Sequence, residues 1–70
     1  MRSLNINELK AEMARYGDTG GSLAKALGIT QQSLSRKFHG KADFSRDDIE
    51  TIRDRYNLSY EAIGRIFFAQ

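Results

Sequence analysis

The stretch Gly20 to Lys41, GGSLAKALGITQQSLSRKFHGK, decides how this chain folds. Its apolar residues follow helical spacing on both sides of Gly28, Ile29 and Thr30, which interrupt the pattern. Ala24 is small enough to let a second helix approach closely, and Gly28 can adopt the left-handed backbone that a sharp corner requires. The stretch therefore predicts two short helices joined by a tight turn, with Ile29 between them.

The length and composition bound the class of protein. Seventy residues make one small domain with a thin core, because a chain of this size buries only about 60% of the surface that its unfolded form exposes. There is no cysteine, so disulfides and thiolate metal sites are excluded. Residues 1–10 contain no long apolar run, and we expect neither a signal peptide nor a membrane span. The chain is expected to be a soluble protein of the cytoplasm.

The charge is unevenly distributed along the chain. The net charge is only +2, but residues 1–41 carry seven Lys and Arg against three Asp and Glu, whereas residues 42–70 carry four against six. The basic part contains the two-helix stretch, as the electrostatic footprint of a nucleic-acid-binding surface would. An ordinary mixed surface with a chance gradient is the alternative interpretation.

The segments outside this stretch are also helical, and none alternates apolar and polar residues over the length of a strand. A first helix is predicted from about Glu8 to Tyr16, with Leu9, Met13 and Tyr16 pointing inward. Asn5 or Asn7 is expected to cap it, and Gly17 to end it.

Thr19 is expected to cap the second helix through its hydroxyl. Two glycines, Gly20 and Gly21, then occupy the first helical positions, although each lowers helix propensity by about 1 kcal/mol relative to alanine. Either this turn is frayed, or the bare backbone lets its N–H groups approach a phosphate oxygen closely.

The second half of the chain carries clear helix boundaries. Ser45 and Asp48 have the S-x-x-D form of a capping box, Asn57 can act as a left-handed stop, and Ser59 can cap a last helix from Tyr60 to about Phe68. The sequence therefore predicts an all-α fold of five helices around one core. The expected core residues are Leu9, Met13, Leu23, Leu27, Ile29, Leu34, Ile49, Ile52 and Ile63.

The helix that begins at Gln31 has one polar face. Leu34 and Phe38 are expected to point inward, and the residues opposite them are Gln31, Gln32, Ser35, Arg36 and His39. Glutamine can contact adenine N6 and N7 together, and arginine can donate twice to guanine O6 and N7. A solvated surface helix would also be polar, but that reading does not explain why residues 30–42 lack acidic side chains. Base reading is the favoured interpretation.

The run LAKALGITQQSLSRKFHGK, residues 23–41, resembles the helix-turn-helix of phage repressors and Cro proteins, in the broad class named after the Xre regulator. The tail NLSYEAIGRIF, residues 57–67, resembles that family's link into its fifth helix. The similarity covers nearly the whole chain and is greatest to short Cro-like repressors. It implies a five-helix lambda-repressor-like fold, with residues 1–70 as one DNA-binding domain and the motif at about residues 19–41. The matching features are Leu23-Ala24, Leu27-Gly28-Ile29, Thr30-Gln31-Gln32-Ser33-Leu34 and Gly40-Lys41.

In that family the second helix of the motif, here from about Gln31 to His39, lies in the major groove. The resemblance assigns base reading to Gln31, Gln32, Arg36 and Ser35. It assigns contacts with the DNA backbone to Thr19, Gly20, Ser33, Lys37, His39 and Lys41. The sequence departs from the family at Gly20, where glutamine is frequent, and at Lys37, where an apolar residue is frequent.

The sequence shows no signs of catalysis or metal binding. His39 is the only histidine, and no second histidine, cysteine or acidic cluster accompanies it. No nucleophile–base pair, phosphate-binding glycine loop or zinc spacing occurs. We expect no enzyme activity, no cofactor and no small-molecule ligand.

The C-terminal segment is rich in large apolar residues. A single small helix-turn-helix rarely binds specifically alone, and paired half-sites about 34 Å apart are the usual arrangement. A homodimer, at least on DNA, would use the interface residues Tyr60, Ile66, Phe67 and Phe68. A terminal helix wrapped over the core is the equally weighted alternative.

The favoured function is a transcriptional regulator, a phage or prophage Cro-like repressor bound to a palindromic operator in double-stranded DNA in the bacterial cytoplasm. The alternative is an antirepressor or adaptor that keeps the same fold and binds another protein. An adaptor is expected to show almost no affinity for random duplex DNA at low salt.

Overall fold

A computed structural model of the chain describes residues 4–68, which form five helices and no strand. The helices are α1 (Ile6–Arg15), α2 (Gly20–Leu27), α3 (Gln31–Phe38), α4 (Arg46–Tyr56) and α5 (Tyr60–Phe67). The all-α class and the number of helices are confirmed. None of these helices is long and apolar enough to cross a membrane.

Every helix begins at a polar residue whose side-chain oxygen accepts a hydrogen bond from the backbone N–H three positions further on. These N-caps are Asn5, Thr19, Thr30, Ser45 and Ser59. Asn5 rather than Asn7 caps α1, which therefore starts two residues earlier than predicted. The capping box of Ser45 and Asp48 is confirmed. Each cap contributes about 1 kcal/mol, a substantial part of the 5–15 kcal/mol that is typical of small domains.

Four helices end in the same left-handed turn. The backbone φ angle is 66° at Gly17, 73° at Gly28, 76° at Gly40 and 51° at Asn57. In each turn the next backbone N–H donates to the carbonyl five residues earlier, at distances of 2.8–3.0 Å, which is the bonding pattern of a Schellman motif. The predicted stops at Gly17, Gly28 and Asn57 are confirmed.

The core lies where all five helices meet. Six of the nine predicted core residues are buried, and Leu27, Ile29 and Ile49 pack against them while partly exposed. Tyr56, which is not among the nine, is also buried. Large side chains from loops and from α5 complete the cluster. Its members are Leu9, Met13, Leu23, Ala24, Leu34, Phe44, Ile52, Tyr56, Ile63, Ile66 and Phe67.

Tyr16 departs from its predicted inward position, because 51% of its surface is exposed. It lies at the edge of the core, where its ring stacks on that of Tyr56 with centroids 5.4 Å apart. Tyr56 fills the interior position itself, so Tyr16 covers it from outside.

The apolar residues of α5 divide between the core and the surface. Ile66 and Phe67 are only 1% and 5% exposed, and the Ile66 carbonyl accepts a 2.6 Å hydrogen bond from the Asn5 backbone N–H. These two residues are used within one chain, which corrects their assignment to a dimer interface. Tyr60 and Phe68, 85% and 43% exposed, are the members of that set that remain at the surface.

Candidate nucleic-acid interface

The helix α3 is attached to the domain by one face and exposed on the other. Leu34 is buried, and Phe38 packs partly buried against the core four residues later. The tight turn at Gly28 joins the helix to α2, as predicted. The four residues predicted to read bases, Gln31, Gln32, Ser35 and Arg36, are all exposed. Their side chains are therefore free to contact a ligand.

Five of the predicted contact residues line one open depression on this surface. They are Gln32, Ser35, Arg36, His39 and Lys41. The depression runs from the exposed face of α3 to the loop that follows it. None of the described carboxylates lines it, so a polyanion that approaches here meets donors and cations without an opposing negative charge from residues 4–68.

Arg36 and Lys41 are also the cations of this surface that remain available. Elsewhere in the described chain, Lys and Arg side chains mostly pair with carboxylates, as in the contacts of Arg46 with Glu50 and Arg53 with Asp54. Within residues 4–68, the cations that form no ion pair are Lys10, Lys25, Arg36, Lys41 and Arg65. Two of these five border the depression.

Lys37 has a different role from the predicted phosphate contact. Its Nζ donates to Asp48 Oδ2 and to the Asp43 backbone carbonyl, each at 2.9 Å, and lies 5.6 Å from the centroid of the Phe44 ring. The Lys37 and Asp48 side chains are 15% and 13% exposed. The ammonium group is thus occupied within the fold, and the prediction for Lys37 is corrected.

The Lys37 contact also reaches the cap of α4. The stem of the lysine is largely buried, and its ammonium meets the capping carboxylate of α4. Burial alone would raise the Asp48 pKa, but hydrogen bonds from the Ser45 backbone N–H and from Lys37 outweigh it and lower the pKa below 3.8.

His39 is tied to the end of α3 through its ring. Its Nδ1 lies 2.8 Å from the Ser35 backbone carbonyl. Because a carbonyl oxygen can only accept, Nδ1 carries the proton in this contact. The other ring nitrogen, Nε2, is left for a ligand, and it donates to a phosphate oxygen only when the ring is protonated.

The first turn of α2 is well formed, which excludes the frayed alternative for its two glycines. Thr19 Oγ1 accepts from the Ser22 backbone N–H at 3.1 Å, and the Thr19 backbone N–H donates to Ser22 Oγ at 2.9 Å. The backbone N–H groups of Gly20 and Gly21 have no acceptor within residues 4–68. These groups are the donors that a phosphate oxygen could use there.

Two further predicted residues, Gln31 and Ser33, do not line the depression. The Gln31 side chain lies over Gly21, at the point where the starts of α2 and α3 meet. Ser33 is partly buried, and its hydroxyl accepts a 3.1 Å hydrogen bond from Thr30. The predicted base-reading residues are thus divided, with Gln31 against the start of α2 and the other three in the depression along α3.

Sequence reasoning missed the residue that fixes α2 in place. Both oxygens of Asp18 accept from the Arg55 guanidinium, at 2.6 and 2.8 Å, and they also accept from the Tyr56 and Ser22 hydroxyls. The hydrogen bonds from Arg55 hold the pKa of Asp18 well below its ordinary value. Burial and the hydrogen bond to Asp18 raise the pKa of Tyr56 above its ordinary value. No local signal identifies this cluster, because Asp18 and Arg55 are 37 residues apart.

The described residues contain no group of three or more His, Cys, Asp or Glu side chains that could hold a metal ion. No protein-family model, curated protein or solved structure matches this chain. Its function must therefore be inferred from its own residues and their arrangement.

Proposed function

We propose that this chain is a sequence-specific regulator of transcription that binds double-stranded DNA, with a lambda-repressor-like fold similar to that of short phage Cro-like repressors. It acts on a palindromic operator in the bacterial cytoplasm. The observation that carries the proposal is the depression in which Gln32, Ser35 and Arg36 lie beside His39 and Lys41, with no carboxylate among the described residues that line it. An α-helix is about 10–12 Å across with its side chains, and the major groove is about 12 Å wide.

The spacing of the exposed residues on α3 suits the reading of neighbouring base pairs. Gln32 and Arg36 are four residues apart in the helix, so their side chains lie on the same face. They are separated by about 6 Å along the helix axis, close to two base-pair steps of about 3.4 Å each. Gln32 is assigned to an adenine and Arg36 to a guanine, because these are the bases that the two side chains contact with two hydrogen bonds.

The groups assigned to the DNA backbone flank α3 at both ends. Thr19 and the free N–H of Gly20 lie at the start of α2, next to the start of α3. His39 and Lys41 lie just beyond the end of α3. A helix inserted between two phosphate chains needs such contacts on both sides, because they fix its register without reading sequence.

The proposal is tested by selecting bound duplexes from a random pool and measuring the affinity of the selected site at several salt concentrations. We expect an enriched palindrome and an affinity that falls steeply with salt. Gln32→Ala and Arg36→Ala should each relax the preference at one position, at a cost of about 1–3 kcal/mol.

Lys41→Ala is the matched comparison, because it removes a cation without a base contact. It should weaken all sequences by a similar factor and reduce the slope of log affinity against log salt by about 1. Equal losses on every sequence for all three variants would contradict the assigned roles.

A second function, that of an antirepressor or adaptor which binds another protein, is favoured by one observation. The partly exposed Phe68 lines an opening between the ends of α3 and α5, together with Phe38, Phe44 and Phe67. Fluorescence anisotropy with random duplex at low salt separates the two functions. An adaptor would show almost no binding, whereas a DNA-binding protein retains the electrostatic affinity that does not depend on sequence.

A further inference from the structure

Gln31 differs from the other residues assigned to base reading, because it does not line their shared depression. Its side chain reaches back to the first turn of α2 instead. There its amide lies over Gly21, so closely that a Cβ atom added at Gly21 would overlap with Gln31 Nε2 and lie 3.6 Å from Gln31 Cδ.

Backbone geometry does not explain the glycine at this position. The glycines with positive φ in the described residues are Gly17, Gly28 and Gly40, so Gly21 has a backbone that alanine also adopts. Glycine nevertheless costs a helix about 1 kcal/mol relative to alanine. What it provides at position 21 is space, and the Gln31 amide occupies that space.

The neighbouring glycine gives a direct comparison. A Cβ atom added at Gly20 would meet no atom within 4 Å. Both residues lie in the first turn of α2 and have the same helix propensity. The steric requirement therefore belongs to Gly21 alone.

We propose that Gly21 is a positioning residue for base reading, an inference that rests on the proposed function. Its missing side chain lets the Gln31 amide pack against α2, and this packing sets the direction from which the amide approaches a base. A two-point contact with adenine requires the donor and the acceptor of the amide in one fixed orientation. A glutamine that is already oriented loses less side-chain freedom on binding.

Gly21→Ala is expected to fold, because the atom in its way is the end of a flexible side chain. The Gln31 amide must then move to another rotamer. Discrimination at the base pair that Gln31 reads should fall by about fivefold to a hundredfold, the range expected when a two-point contact is lost. Gly64 lies in α5, outside the proposed binding surface, and a Cβ atom added there would meet no atom within 4 Å. Gly64→Ala should therefore leave this discrimination unchanged.

The contact itself is tested without DNA. The side-chain amide resonances of Gln31 are assigned by NMR in the wild type, Gly20→Ala and Gly21→Ala proteins. They should shift in Gly21→Ala and stay in place in Gly20→Ala. Unchanged Gln31 resonances in both variants would overturn the proposal.

The effect on base reading is tested by selecting duplexes with the wild type, Gly21→Ala and Gly64→Ala, and with Gln31→Ala and the double variant of Gly21→Ala and Gln31→Ala. Gly21→Ala and Gln31→Ala should relax the preference at the same base pair, and the double variant should match Gln31→Ala alone. A further change in the double variant would show that Gly21 acts through another residue, and this would overturn the proposal. A Gly21→Ala protein that keeps the wild-type base preference would overturn it as well. If the wild type selects no sequence, the proposed function fails and the reading role of Gly21 fails with it, while the NMR result still decides the contact.

Discussion

At the scale of single residues, Asp18 connects α2 to α4 through its side chain. Its side chain is only 6% exposed and accepts hydrogen bonds from Arg55, Tyr56 and Ser22. Tyr56 is itself almost completely buried, so its hydroxyl depends on Asp18 for a partner. The start of α2 is thereby fixed to the end of α4, whereas the Lys37 contact is made at the start of α4.

The pH dependence of stability is the first prediction. Arg55 lowers the folded-state pKa of Asp18 below its ordinary value of 3.8. The folded-state pKa of Asp48 is lowered as well. A lowered carboxyl pKa contributes stability that is fully present above 3.8 and is lost as the pH falls towards the folded-state pKa. The free energy of unfolding, measured with urea, should therefore decrease progressively below about pH 4.

Asp18→Asn is the variant that isolates this effect, because it keeps the shape of the side chain and removes its charge. It should be less stable than the wild type at neutral pH, and the difference should shrink as the pH falls below about 4. A constant difference between the two proteins at about pH 7 and about pH 3 would show that the Asp18 charge does not contribute.

At the scale of the elements, α3 and α4 are joined by one carboxylate. Asp48 Oδ2 accepts from the Ser45 backbone N–H and from Lys37 Nζ, both at 2.9 Å. The capping box could be predicted from sequence, because both of its partners lie within four residues. The lysine contact could not, because a cation on a polar helix suits a phosphate or a carboxylate equally well. Only the tertiary placement of Asp48 decides between them.

Lys37→Ala and Lys41→Ala should separate these two uses of a lysine. Lys37→Ala should lower the free energy of unfolding by about 1–3 kcal/mol, because it breaks hydrogen bonds to a charged and largely buried group. It should leave the slope of log affinity against log salt almost unchanged. Lys41→Ala should do the reverse, with little effect on stability and a slope reduced by about 1. Urea unfolding and anisotropy on the same samples provide both measurements, and an unchanged stability of Lys37→Ala would contradict the joining role.

Two glycines test the difference between a helix end and a helix interior. Gly28 has a φ angle of 73°, and Gly64 lies within α5 at an ordinary helical φ. A Cβ atom would meet no neighbour at either position, so the backbone alone determines the outcome. Gly28→Ala should destabilise the protein by about 1–2 kcal/mol, whereas Gly64→Ala should stabilise it by about 0.5–1 kcal/mol. Thermal unfolding would show melting temperatures that move in opposite directions, and shifts of the same sign would contradict this account.

At the scale of the whole molecule, the fold could be predicted because its signals are local and agree with one another. Caps, left-handed stops and helical periodicity each depend on residues a few positions apart. Whether the apolar face of α5 belongs to the core or to a dimer interface could not be decided in this way. Ile66 and Phe67 would suit a dimer interface as well as a core, and the packing of α5 against α1, with the hydrogen bond from Asn5, decides it.

The size of the molecule leads to the last prediction, which concerns stoichiometry on DNA. The chain measures 27 × 25 × 20 Å, and half-sites one helical turn apart are centred about 34 Å from one another. Each chain has a single α3 and is shorter than this distance, so a palindromic operator should bind two chains.

Analytical ultracentrifugation should show two chains on the full palindrome and one chain on a half-site duplex.

The Tyr60→Asp and Phe68→Asp variants test whether the two chains contact each other through the exposed aromatic residues at the two ends of α5. Each replaces a ring that is exposed in one chain, so folding should be preserved. The variant that removes a real contact should bind the half-site as the wild type does but lose its cooperative gain on the palindrome. If both variants keep that gain, Tyr60 and Phe68 do not form the interface. If only one wild-type chain binds the full palindrome, the paired-site arrangement itself is contradicted.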